Sequence, residues 1–275
     1  MNSQRMGWTV SLALGVVVSA MAGETCAASS VRPVDPARVV PLEMMAPEHR
    51  ENVAEVIRDH TFYRKGAPET FPCDSKVYLS LVNEPAVTLA LWKDLAKSEV
   101  RLRQTSADRY EGSDGNGASA TWEFAYRSAK LHVMLCNLNY KSPRGATKVD
   151  ARIVLVVHSG FYKEVNGDQW VQHDIEAFVK IDSKGWKTLA RTVRPMVEKV
   201  LEDQVREAGW FVSLMGRLVA TYPNWACQVA MEQGEIADET RAKFRDAVVA
   251  AKRPGASTGR PAVADNSAKS AVRTR

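Results

Sequence analysis

The spacing of apolar residues along the chain changes period twice. Val53, Val56, Ile57 and His60 recur at helical intervals behind Pro47 and Glu48, which suit a first turn, so a short helix is expected there. Asp74 or Ser75 can cap a second helix running through Leu81. Asn83, Glu84 and Pro85 start a third, over 84–97, with Val87, Leu91 and Leu95 on one face and Trp92 beside them. From residue 99 the period falls to two. VRLRQT (100–105), DRYEG (108–112), ATWEFAY (120–126), KLHVMLCNLNY (130–140), DARIVLVVHSGFYKEV (150–165) and DQWVQHDIEAFVKI (168–181) are separated by Gly, Asn, Asp, Ser and Pro clusters. That is the turn chemistry of an antiparallel meander. Trp122, Phe124 and Tyr126 alternate onto one face of their strand, and Ile153, Leu155 and Val157 onto one face of theirs. Beyond Gly185 the spacing lengthens again. Leu189, Val193, Val197, Leu201, Val205, Ala208, Val212, Met215, Val219 and Tyr222 form one stripe. It requires a helix of about 35 residues, roughly 50 Å long. A last amphipathic segment, 238–251, carries Phe244, Val248 and Val249.

Short helices, a run of about six antiparallel strands and one long C-terminal helix make an α+β order. Strand twist curls such a sheet around the helix that covers it. The order resembles the START-like helix-grip superfamily, also called the polyketide cyclase and lipid-transfer group, with its core over residues 75–222. The resemblance rests on the paired short helices, the meander, and the passage HDIEAFVKIDSKGWKTLARTVRPMVEKVLEDQ, which looks like that family's final strand and long helix. HTFYRK (60–65) is the candidate for the first strand that the family places before the short helices. The leader and body together also resemble exported bacterial proteins to which no activity is assigned. The resemblance implies a cavity between sheet and long helix for a lipid, sterol, isoprenoid or aromatic ligand. Its expected lining is Trp122, Phe124, Tyr126, Leu155, Val157, Val193, Val197, Leu201 and Met215.

Composition sets the boundaries. The 275 residues are 45% apolar and 25% charged, enough for one ordinary globular domain with tails. Arg5, then WTVSLALGVVVSAMAG, then Ala20-Met21-Ala22 follow the charged, apolar and cleavable order of a secretory signal peptide over 1–22. The apolar run is shorter than the ~20 residues of a membrane span. Cys26 follows GET, which does not resemble the lipobox of a lipoprotein. Residues 23–47 read as a Pro-containing linker and 48–251 as the single helix-grip domain. The net charge of +5 is concentrated in the tail 252–275, which holds six basic residues and one acidic. That tail is otherwise Ala, Ser, Pro and Gly and is expected to be disordered, able at most to touch an anionic membrane surface. It has no aromatic residue, and no RNP-type motif occurs elsewhere, so nucleic acid is not an expected partner.

Candidate chemistry is sparse. No CxxC or CxxH pair exists among the four cysteines, so neither structural zinc nor any other metal or cofactor is expected. No GxSxG occurs, HSGF (158–161) is only a loose echo of a nucleophile turn, and no catalytic residue is assigned. Asn166-Gly167 reads as a two-residue type I′ hairpin turn. Positions summing to 333 then face each other, so His158 opposes Ile175 and lies diagonal to His173 on one face, while Asp174 and Glu176 point the other way. His158 and His173 are the polar candidates. Lys141, Arg144 and Lys148 form a basic loop. The expectation is an exported, periplasmic or secreted, non-catalytic binder of a small apolar ligand. The alternative is a cell-envelope structural or interaction protein with a filled core, and an enzyme ranks third. Unfilled volume beneath the long helix separates the first two.

Overall fold

In the computed structural model the described residues are 34–251 apart from 97, 116, 142–147 and 183–185, and the side chains at 186–198 and 200 also lie outside the description. The expected leader over 1–22, Cys26 and the basic tail 252–275 fall outside it as well. The described chain runs α1 (Pro47–Arg58), β1 (Phe62–Lys65), β2 (Glu69–Pro72), α2 (Ser75–Asn83), α3 (Pro85–Leu95), β3 (Arg101–Ser106), β4 (Arg109–Ser113), β5 (Ala118–Arg127), β6 (Leu131–Lys141), β7 (Lys148–Lys163), β8 (Gln169–Ile181), α4 (Trp186–Thr221), α5 (Pro223–Glu232) and α6 (Asp238–Ala251). Asp74 caps α2 through its carboxylate, which accepts from the N–H groups of Lys76 and Val77, and Pro85 opens α3.

The sheet has eight antiparallel strands rather than about six, ordered β1-β8-β7-β6-β5-β4-β3 with β2 also on β8. The two extra strands are halves of one edge strand. Lys65 pairs with Glu176 and Glu69 with His173, so residues 66–68 face only Asp174 and Ile175. One residue too many on one side is a bulge. It falls where Pro68 has no N–H to offer the ladder. HTFYRK therefore contains the first strand, which joins the sheet at β8, and the sheet and α4 form a helix grip.

Alternation assigns each face. The inner face presents Phe71, Trp122, Met134, Leu155, Val157 and Ile175 to α2, α3 and α4. The outer face carries Ala125, Val133, Leu135, Val154, Val156 and Phe178, and α1 covers these with Val53, Val56 and Ile57. Residues 34–46, within the stretch read as a linker, add two 3-10 turns that bury Val40 and Met45 in the same cluster. Glu55 fastens α1 to the sheet. Its carboxylate accepts from Arg152 at 2.6 and 3.1 Å and from Lys180, and these bonds hold its pKa down to about 2.

α4 lies across the inner face, and two of its glycines meet the sheet side differently. A Cβ at Gly216 would stand 2.7 Å from Cε2 of the fully buried Phe71, whereas one at Gly209 would stand 3.7 Å from His173 Nε2. Gly216→Ala is therefore expected to lower stability by about 1–3 kcal/mol through overpacking. Gly209→Ala should raise it by up to about 1 kcal/mol through helix propensity. Urea unfolding of both variants checks this, and shifts of the same sign would contradict the seating of the helix.

Candidate functional site

The β7–β8 hairpin sets the site, and its register differs from the expected one. Gly167 takes φ +92°, the Gly167 N–H donates to Glu164 O at 2.9 Å, and Glu164 N–H donates to Asp168 O at 2.9 Å. The loop is thus the three residues Val165, Asn166 and Gly167, a turn closed by a left-handed glycine, rather than Asn-Gly alone. Facing positions sum to 332. A slip of one residue turns a whole strand over relative to its partner. His158 consequently opposes Asp174, and Ser159 opposes His173. The two histidines lie on opposite faces and make no shared site.

Beneath α4 the inner face leaves a cavity of about 130 Å³. Trp122 from β5, Met134 from β6, Leu155 and Val157 from β7, and His173 and Ile175 from β8 form its floor. Leu89 of α3 and Ala208, Phe211 and Val212 of α4 form its roof, with Gln204, Glu207 and Arg101 among its polar lining. The aliphatic and aromatic character follows from the alternation of the strands and the stripe of the helix.

His173 is the polar side chain set deepest in this wall, at 1% exposure. Its Nδ1 lies 3.3 Å from the Tyr78 hydroxyl, which lies 2.8 Å from Ser159 Oγ. Glu69 stands opposite on β2, and its carboxylate accepts from the Ser213 hydroxyl of α4. Burial lowers the His173 pKa, partly offset by the Glu69 charge, the Gly209 backbone and Asp174. Burial likewise drives the Tyr78 hydroxyl well above its ordinary range. At neutral pH His173 is therefore an uncharged hydrogen-bonding group, braced by Tyr78, at the edge of an apolar space. Tyr78, Ser159, Glu69 and Ser213 were not singled out from the sequence. They come from α2, β7, β2 and α4, so no local spacing connects them.

The expected lining divides. Trp122, Leu155 and Val157 face the cavity. Phe124 lies on the same sheet face but is taken up by edge contacts with Tyr110 and His132 and by the Arg127 guanidinium 4.5 Å from its centroid. Tyr126 is on the outer face. The β5–β6 register shifts between Phe124 and Tyr126, so Tyr126 pairs with Val133 and packs beside the α1 cluster. Leu201 packs at the margin, against the cluster of Val157, Ile175 and Val205 and that of Phe62 and Val179, and Met215 is fully buried in the cluster that holds Phe71, Tyr78 and Leu81. The side chains of Val193 and Val197 lie outside the described residues, as does Arg144. Lys148 pairs with Asp150 at 3.3 Å.

On the outer face the corrected register gathers His158, Asp174 and Glu176, whose ligand-capable atoms lie within 4.8 Å of one another. Lys65 already pairs with both carboxylates. Its Nζ is 2.8 Å from Glu176 and 3.3 Å from Asp174, and the Tyr63 hydroxyl donates to Glu176 at 3.0 Å. Burial and that bond push the Tyr63 pKa up to about 12. The group is an ion-pair network in which lysine stands in the place of a cation. Glu123 is similarly engaged by Arg109 at 3.1 Å.

No protein-family model matches the chain, and no curated protein matches it. Among solved structures, a conserved protein from Geobacillus kaustophilus aligns over 57% of this chain and 97% of its own, at 11% identity and a TM-score of 0.41. A truncated norcoclaurine synthase from Thalictrum flavum covers 56% and 93%, at 9% identity and a TM-score of 0.33. A START superfamily protein from Mycobacterium smegmatis covers 57% and 98%, at 11% identity and a TM-score of 0.31. The helix-grip architecture itself stands on this chain's strand order, register and long helix.

Proposed function

We propose that the chain is an exported, non-catalytic binder of a small apolar ligand held between the sheet and α4. The cavity carries this reading: about 130 Å³ lined by Trp122, Met134, Leu155, Val157, Ile175, Phe211 and Val212. Apolar concavities with few polar groups are the usual small-molecule sites. Size narrows the ligand. Pockets for drug-sized molecules span roughly 300–1,000 Å³, whereas an engineered cavity of about 150 Å³ takes benzene. A single ring or short branched chain fits. A sterol or a full acyl chain requires α3 and α4 to part. Export is supported by the order of charge, apolar run and small residues at the start of the sequence.

Native mass spectrometry of the full chain, followed by organic extraction and identification of what is released, tests the reading. A stoichiometric small aromatic or short aliphatic species is expected. A clean apo mass, with no melting shift on saturation by benzene or toluene, would transfer the weight to an envelope-interaction role.

A further inference from the structure

Trp122, a lining residue of the cavity, carries a donor without an acceptor among the described residues. Trp122 is only 9% exposed, lies on the inner face of β5, and its indole Nε1 is shielded from solvent without a hydrogen-bond partner among the described residues. An indole N–H can only donate. The residue directly across on β4 is Tyr110, whose buried hydroxyl is itself without a partner among the described residues, so the neighbouring strand does not satisfy the indole. Gly112 comes next on that face and presents no side chain, an added Cβ standing 4.0 Å from Nε1. Buried polar groups in native proteins are nearly always paired, and an exception calls for a reason. Bound water is a poor one here, because an ordered water wants two to four polar partners. Of the cavity's other polar wall residues, the Thr88 hydroxyl donates to Leu81 O at 2.6 Å, His173 is three strands away on β8, Arg101 is two strands away on β3, and Gln204 and Glu207 belong to α4 on the opposite wall.

We infer that the ligand combines a ring-sized apolar body with one oxygen acceptor, a carbonyl or ether, which takes the Trp122 indole hydrogen. This rests on the binding reading above and sharpens it from apolar compounds at large to small ketones, esters and ethers. The acceptor orients the ligand, and the aliphatic wall around Leu155, Val157 and Ile175 holds its body.

The test uses cyclohexanone and methylenecyclohexane, which share a ring and differ in an exocyclic oxygen or CH2 group. Calorimetry gives their affinities for the wild-type chain and for Trp122→Phe. The ¹⁵N–¹H spectrum follows the indole cross-peak that the variant lacks, one of seven in the chain. Loss of one buried hydrogen bond changes affinity about tenfold. W122F should therefore weaken the ketone about tenfold and leave the hydrocarbon within about twofold. The wild-type indole proton should move downfield with the ketone alone, a readout independent of how well the variant folds. If both probes bind, W122F affects them equally and the indole proton stays still, the oxygen requirement is wrong while the cavity reading stands. If neither probe binds the wild-type chain, the cavity reading fails and the inference falls with it.

Discussion

Replacing Ala208 with leucine is expected to abolish binding of benzene-sized ligands while raising the melting temperature. Ala208 is half-buried on α4 and lines the cavity beside Phe211 and Val212, opposite Leu155 and Ile175. An empty space of 130 Å³ costs about 3 kcal/mol at ~24 cal/mol per Å³. Three added carbons fill much of it, and recovering a third to a half of that cost gives about 1–2 kcal/mol. For a domain of this size that is roughly 2–8 °C. Differential scanning calorimetry with a benzene titration reads both effects. Undiminished benzene binding in the variant would place the site elsewhere. A fall in melting temperature with binding intact would show that the roof is packed more tightly than drawn.

The second large effect is expected in acid. His132 is fully buried on β6, with Nε2 3.1 Å from the Asn83 side-chain oxygen and no partner at Nδ1 among the described residues. Burial, helped by the nearby Arg127, lowers its pKa from 6.5 to about 4. Between those values the unfolded chain binds the proton and the folded chain does not, so stability falls as pH falls. The stability is complete above about pH 6.5, and the loss reaches about 3 kcal/mol by pH 4. His173, lowered in the same sense, adds to it. Glu55 contributes in a separate window, since its pKa of about 2 means that its stabilisation is lost only below the ordinary carboxylate value of 4.5. Urea midpoints at pH 7 and pH 4.5 for the wild type and His132→Phe decide the matter. The variant should be weaker at pH 7, because Asn83 loses its partner, yet should lose much less on acidification. Equal losses in both proteins would remove His132 as the cause.

What was legible in the sequence was periodic. The helices at Pro47, Ser75 and Pro85, the meander, and the stripe from Leu201 to Val219 follow from spacing that secondary structure imposes on burial, whereas Tyr222, placed in the same stripe, lies past the end of α4 and is exposed. What escaped depended on single residues of backbone. Asn166-Gly167 marked a turn correctly, but including Val165 in the loop moved the register by one, which put Ser159 opposite His173 and replaced Ile175 by Asp174 opposite His158. A bulge beside Ala125 sent Tyr126 to the outer face, where strict alternation had placed it with Trp122. The polar group of Glu69, Tyr78, Ser159, His173 and Ser213 draws on five elements, so its members become neighbours only once the fold is closed. Val40 and Met45 lie among prolines and bury only two large side chains, too few to carry a period.

The central claim is that a ring-sized apolar molecule sits between the sheet and α4. Isotope-filtered NMR of the methyl-labelled chain in benzene-saturated buffer tests it directly. The account predicts intermolecular contacts from benzene to the methyl groups of Leu155, Val157, Ile175 and Val212, all of which line the cavity. Contacts confined to exposed side chains such as Val165 and Val249, with those four silent, would contradict it.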